Sequence, residues 1–332
     1  MRKIKMMAIS IILISINLLY NPKVYSEELE KVKVYYQPII SRAPFIIAYE
    51  EGYFKEEGLD LELLKFRNSS EAMIMLLQGS IDVLPGAVTA GSFNAVKEGR
   101  NLKIVYQLLT HVKGNKYLGF YIKTSLKPNA DIKAVIKTLK GKKIGVDSMG
   151  TAFHFEIENI LKKYRLPLSD VELVVTPIST LTAALASGAI NAAILFEPLA
   201  SIAQAEIQLF PLYYKDEVND IPLGACLWYG PNLIEKRPET GIKFMRAFLK
   251  GIRQYNQGKT KRNIEILNKY IGLEEELLNK INWPVFASSE NNINFEALEI
   301  YQDWLIEKRY LNERLDINTL IDMSFLEKAK IN

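Results

Sequence analysis

Arg42 is the one cation in the loop Tyr36–Pro44, and a guanidinium can grip an anion through two parallel N–H bonds. Read alone, it is equally a solvated charge at a loop tip. Gln37, in the same loop, offers both a donor and an acceptor. A second loop, Asp147-Ser148-Met149-Gly150-Thr151, follows the strand pattern Lys143–Val146 and should open a helix. The free N–H groups of a helix start, with the hydroxyls of Ser148 and Thr151, suit a nitrate, sulfonate or carboxylate. Asp147 works against a bare anion there. Glu197, in Phe196-Glu197-Pro198, either accepts from an amino group or closes a strand end. Asn68 and Ser69 precede a helix, where capping accounts for such residues without a ligand. Gly86 and Ala87, within Pro85–Thr89, would let a ligand approach backbone N–H groups. Thr176 completes the rim, and Trp228 is either a stacking wall or core.

These residues give little purchase for catalysis. The chain has two histidines, His111 and His154, and one cysteine, Cys226, so no zinc-type cluster is expected. Ser148 and His154 lie six apart, but Gly145–Gly150 does not read Gly-x-Ser-x-Gly. Neither a phosphate loop nor a Gly-x-Gly-x-x-Gly run occurs. A binding protein without cofactor or metal is the expectation. Cys226 permits no internal disulfide and reads as a buried small residue.

The elements that position these loops are repeated. Ser70–Leu84 and Ser179–Ala193 share a hydroxyl start, an apolar helix, a terminating glycine (Gly79, Gly188) and then Ile81-Asp82 or Ile190-Asn191 opening an apolar strand. The strand pattern Val32–Tyr36 matches Lys143–Val146, and Leu61-Glu62-Leu63 matches Val171-Glu172-Leu173. Strand and helix patterns alternate, which predicts an α/β fold of two lobes, each a mostly parallel sheet flanked by helices. Lobe I is expected over 31–118 and 226–332, lobe II over 122–222. Hinge strands are expected near 117–122 and 223–229. The C-terminal third reads as amphipathic helices, including Ile317–Lys328, that pack back on lobe I. Two facing lobes make a clamshell that closes on a ligand.

The N-terminus sets the compartment. Met1–Lys5 is basic, Met6–Tyr20 is almost wholly apolar, and Val24-Tyr25-Ser26 offers a cleavage site before Glu27. The apolar run, about 15 residues, is short of the roughly 20 that a spanning helix needs. Residues 1–26 therefore read as a cleaved signal peptide rather than a retained anchor, and no cysteine stands near the cut to carry a lipid. Arg2, Lys3, Lys5 and Lys23 leave with it, so the 42 basic residues fall to 38 against 38 acidic ones. A near-neutral exported monomer in the periplasm is expected, with no nucleic-acid partner.

The run Ala48-Tyr49-Glu50-Glu51-Gly52-Tyr53-Phe54-Lys55-Glu56-Glu57-Gly58-Leu59-Asp60-Leu61-Glu62 resembles a known signature. It is that of the NMT1-like substrate-binding proteins of nitrate, alkanesulfonate, taurine and thiamine-pyrimidine ABC importers. Gln78–Asp82, Ser187–Asn191, Lys140–Val146 and Phe196-Glu197-Pro198 resemble the same family, so the likeness covers roughly residues 32–257. It implies a type II periplasmic-binding-protein clamshell with a two-strand hinge. It also implies a small solute in the interlobe cleft and an inner-membrane ABC permease with its ATPase. In that family the loop matching 147–153 commonly holds the ligand's anionic end. A related branch makes a thiamine pyrimidine and uses a cysteine-rich loop, which this chain lacks. The resemblance is specific for the family and does not choose among sulfonate, nitrate-like anion and aminopyrimidine.

Overall fold

The computed structural model describes residues 28–65, 69–110, 114–126, 131–214, 224–287 and 293–331. The expected signal peptide, Asn68 and His111 lie outside them. β1 (Glu30–Tyr35) passes through a single turn at Ile40–Arg42 into α1 (Ala43–Glu50) and the short α2 (Tyr53–Glu56). β2 (Leu59–Leu64), α3 (Ser69–Leu77), β3 (Val83–Gly86), α4 (Ala90–Lys97), β4 (Lys103–Gln107) and the two-residue β5 (Leu109–Thr110) follow. The next stretch holds β6 (Leu118–Lys123), α5 (Ile132–Lys137), β7 (Lys143–Val146), α6 (Ala152–Lys163) and β8 (Glu172–Val175). It continues with α7 (Leu181–Ser187), β9 (Ala192–Phe196), α8 (Leu199–Glu206) and β10 (Leu209–Tyr214). After β11 (Cys226–Tyr229) the chain is nearly all helical: α9 (Pro238–Tyr255), α10 (Lys261–Ile271), α11 (Glu275–Lys280), β12 (Val285–Phe286), α12 (Phe295–Glu307) and α13 (Ser324–Lys330).

The sequence repeat has a physical basis. Gly79 and Gly188 take φ of +71° and +80°, the left-handed geometry that ends a helix without a Cβ clash. The Asx residue three positions on then latches the sheet. Asp82 Oδ2 accepts from the Lys33 N–H at 2.8 Å, and Asn191 Oδ1 accepts from the Lys143 N–H at 3.1 Å. In both lobes the same Asx N–H donates back to that lysine's carbonyl. Each helix is thus fastened to the first strand of its own sheet.

Two five-stranded sheets result, ordered β2-β1-β3-β11-β4 and β8-β7-β9-β6-β10. In each, the first three strands are parallel and the fourth runs antiparallel to both neighbours. The fourth strand comes from across the chain crossing: β11 completes the first sheet and β6 sits in the second. The runs expected as hinge strands, near 117–122 and 223–229, hold β6 and β11, each of which pairs on both sides within its sheet. Being covered on both faces, β3, β9 and β11 are apolar throughout.

One face of the first sheet is covered by α1, α9 and α10 around Phe45, Phe54, Phe244 and Phe248. Its other face carries α3, α4 and α12 around Trp228, Phe93, Tyr301 and Trp304. The second sheet is covered by α5 and α6 on one side and by α7 and α8 on the other. The single helix expected over Ile317–Lys328 is broken. Ile321 is extended and bridges Ile104 at the edge of the first sheet, and Asp322 Oδ1 accepts from the Ser324 N–H to start α13. Pairing to a sheet edge outweighs helical periodicity there.

Candidate functional site

Thr89, just after β3, and Thr151, just after β7, form a backbone bridge that brings the C-terminal ends of these two strands together. Arg42 ends the turn that leads into α1 and is only 6 % exposed. It is no solvated loop-tip charge. Its Nη2 donates to the Pro85 carbonyl at 2.7 Å, and Nη1 lies 3.3 Å from both the Ser41 carbonyl and Ser41 Oγ. Nε has no partner, and among the described residues no carboxylate pairs with this guanidinium. Burial lowers its pKa to about 10. A buried cation without an anion is unfavourable by several kcal/mol.

Tyr117 stands between Arg42 and the opposite lobe. Its hydroxyl bonds to Ser41, it feels the charges of both Arg42 and Glu197, and burial pushes it up to about 12. Its carbonyl accepts from the Glu197 N–H at 2.9 Å, and its ring lies 6.1 Å from that of Phe196. Glu197, 5 % exposed, accepts from the Ser201 N–H at 3.1 Å and from Ser201 Oγ at 3.0 Å, which fastens the first turn of α8. Burial raises its carboxyl, against the pull of the Ser201 bonds and of the Lys259 charge. Lys259 donates to the carbonyls of Asn279 and Ile281 and so is held in place behind Glu197. The site thus carries a buried cation from one lobe and a buried carboxyl from the other, with a phenol between them.

The second loop is arranged differently from its sequence reading. The helix start of α6 is closed by its own side chains. The Gly150 N–H donates to His154 Nδ1 at 3.1 Å, and the His154 N–H donates to Thr151 Oγ1 at 3.4 Å. Thr151 Oγ1 in turn lies 2.8 Å from Asp147 Oδ1 and bonds to it. Thr151 also forms a backbone bridge with Thr89, the capping residue of α4 in the other lobe. Two of the donors expected for an anion are therefore taken, and capping is the reason. Burial raises the Asp147 carboxyl. Met149 is 43 % exposed on the rim, and Ser148 is half-buried.

The remaining candidates divide. Gly86 is buried in β3 beside Pro85, and Gln37 and Ala87 are half-buried at the ends of β1 and β3. Thr176 is buried, its hydroxyl donating to the Val174 carbonyl at 3.0 Å, so it stiffens the end of β8. Phe196 ends β9 and lies against Tyr117 and Phe153. Ser69 opens α3. Trp228 has no exposed surface and packs in the core of the first lobe, which is the second of its two sequence readings. Tyr117, Lys259, His154 and Tyr301 were not singled out as site residues. Only Tyr117 had a local signal, an aromatic placed where the chain crosses between lobes.

Cys226 is buried and its thiol is pushed up to about 12, far from the thiolate a nucleophile needs. Among the described residues no group of three or more His, Cys, Asp or Glu is placed to hold a metal ion.

Known proteins resemble this chain over most of its length. A 4-amino-5-hydroxymethyl-2-methylpyrimidine phosphate synthase of Aspergillus parasiticus is 25 % identical, covering 83 % of this chain and 79 % of the relative. The nitrate-binding protein NrtA of Synechocystis superposes with a TM-score of 0.76 at 14 % identity, over 91 % of this chain and 88 % of that one. The aliphatic sulphonate-binding protein SsuA of Escherichia coli gives 0.70 at 18 % identity, over 90 % and 99 %. The fold is that of type II periplasmic binding proteins: two α/β lobes, each a sheet flanked by helices. The model of the NMT1-like family matches residues 25–268, well over half of the chain, and the chain belongs to that family.

Proposed function

We propose that this protein is the solute-binding component of an ABC importer, exported to the periplasm, and that its solute carries an anionic or strongly accepting end and a donor end. One observation supports this above the others: Arg42 is buried just before α1 with a free Nε and no carboxylate partner among the described residues. A solute anion would supply the missing counter-charge, and Glu197 opposite would accept from an amino group. A zwitterion or an aminated heterocycle meets both needs. The synthase relatives, named for an aminopyrimidine product, favour the heterocycle. Closure follows if the solute touches both lobes, since only differential affinity shifts an open–closed equilibrium. The closed form would then be offered to a membrane permease.

A synthase is the second reading, and the same relatives favour it. The buried, high-pKa Cys226 and the lack of a cysteine-rich loop weigh against it. Calorimetric titration with nitrate, an alkanesulfonate, taurine and an aminopyrimidine tests the proposal. Saturable binding without consumption of the ligand is expected. Turnover of any of them would replace the binding reading with the enzymatic one. Mass spectrometry of the exported protein should find its N-terminus near Glu27. An intact leader on a cytoplasmic protein would remove the transport role.

A further inference from the structure

The two lobes are joined at a third place, far in sequence from the two chain crossings. α12, in the C-terminal third, lies against the start of α6 in the second lobe. Gly150 is the centre of this contact. Its N–H donates to His154 Nδ1 at 3.1 Å, and its carbonyl accepts from the Tyr301 hydroxyl at 2.6 Å. Both polar groups of one residue are therefore held, one from within the second lobe and one from α12. Gly150 itself sits at φ +71°, and a Cβ there would meet the Tyr310 ring at 3.4 Å and Ala90 at 3.7 Å. A side chain would strain the backbone through that φ, although its Cβ would meet these neighbours only at ordinary contact distance.

Around this point the surfaces interlock. Phe155 of α6 is buried in the first lobe's core, 5.5 Å from the Tyr301 ring and 5.3 Å from that of Trp304. The His154 ring meets Trp304 edge-on at 4.9 Å. One turn further along α6, Glu158 accepts from Trp304 Nε1 at 2.8 Å and pairs with Lys308. Thr89 and Thr151 bridge the lobes directly on the other side of Gly150.

We propose that α12 is a clasp between the lobes, with Tyr301 and His154 as positioning residues. They fix the Ser148–Thr151 loop, and so the geometry of the second lobe's side of the cleft. The clasp rests on the solute-binding reading only in that the cleft is taken as the solute's site. Its physical content is that relative lobe motion must turn about the Gly150 contact or break it. A chain free to open only at its two crossings would have no reason to bury Phe155 in the opposite lobe.

The test separates the clasp from the solute. Spin labels on Lys55→Cys and Lys133→Cys, exposed positions in the first and second lobes, report the interlobe distance without ligand, Cys226 being buried. Tyr301→Phe keeps the ring and removes only the donor to Gly150. Glu158→Gln weakens the outer contact at a partly exposed position and serves where the first variant folds poorly. The clasp predicts a broadened or shifted distance distribution and faster amide exchange across 149–154, with the ratio of tethered to untethered forms falling about fivefold for one lost hydrogen bond. The melting transition of the rest of each lobe should not move. An unchanged distribution with unchanged exchange in both variants overturns the proposal. A shifted distribution in a protein that binds none of the tested solutes upholds the clasp and removes the solute reading instead.

Discussion

Replacing Arg42 by Met separates a binding cation from a structural one, because the two roles change stability in opposite directions. The guanidinium is buried, and its pKa of about 10 against 12.5 for a free group corresponds to ~3 kcal/mol of unfavourable burial. Its bonds to Pro85 and Ser41 offset part of that cost. Methionine fills similar space with no charge, so the ligand-free variant should be as stable as the parent or more so, by up to ~3 kcal/mol. Its solute affinity should fall by about 1.5–3 kcal/mol, the range for a charge-assisted hydrogen bond. That is a loss of roughly 10–150-fold. Urea unfolding with and without solute reads both numbers. A solute at 100 times the parent's Kd adds about 2.7 kcal/mol to the parent and should add only about 0.3–1.4 kcal/mol to the variant. A variant destabilised by more than ~2 kcal/mol with an unchanged Kd would refute the reasoning. Arg42 would then be a brace for the Pro85 carbonyl and nothing more.

Glu197→Gln should weaken aminated solutes more than plain anions in calorimetric titration, since only the former lose a charged acceptor. The Glu197 carboxyl is raised by burial, so ionisation opposes folding above its usual value of 4.5; the variant should gain stability at pH 7, and the gain should fade as pH falls towards 4.5. His154 is lowered by burial, and only its neutral ring can accept from Gly150, so its contribution is full above the unfolded value of 6.5 and is lost as pH falls below it. Urea unfolding at pH 7.5 and 5.5 should show a larger acid penalty in the parent than in His154→Gln. Cys226 should resist iodoacetamide in the native state and react once unfolded, as followed by mass spectrometry; rapid native labelling would contradict its burial.

Local pattern carried the architecture into the sequence, and tertiary contact kept most of the site out of it. Gly79 with Asp82, and Gly188 with Asn191, are legible because helix ending and sheet latching are short-range tasks with fixed residue types. Arg42 is legible as a cation but not as a buried one, since what covers it comes from Pro85, Phe244 and Phe248, elements far apart in the chain. The loop at Ser148 looks like an open anion cradle until His154, one turn on, is seen to accept from Gly150. Tyr301 has no local mark at all. Its role depends on α12 reaching the other lobe, which no spacing rule in the C-terminal third encodes. The break at Ile321 is similar: Ile317–Lys328 has helical periodicity, and only the waiting edge at Ile104 decides otherwise.

The late insertion of β11 into the first sheet bears on the order in which the chain can fold. The second sheet is built wholly from β6 to β10, one unbroken stretch that contains all its own pairing partners. The first sheet is not. β11 lies between β3 and β4, so Cys226 must find both Gly86 and Gln107 after the entire second lobe has been made. Long-range pairing of that kind is slow, because the intervening loop must close before any contact rewards it. The earlier half of the molecule is thus obliged to wait for the later half, with β3 and β4 left without the strand that joins them. Under the proposed export, which would need an unfolded chain, such a delay would be useful. The part that emerges first from the ribosome is the part that cannot finish until nearly everything else exists.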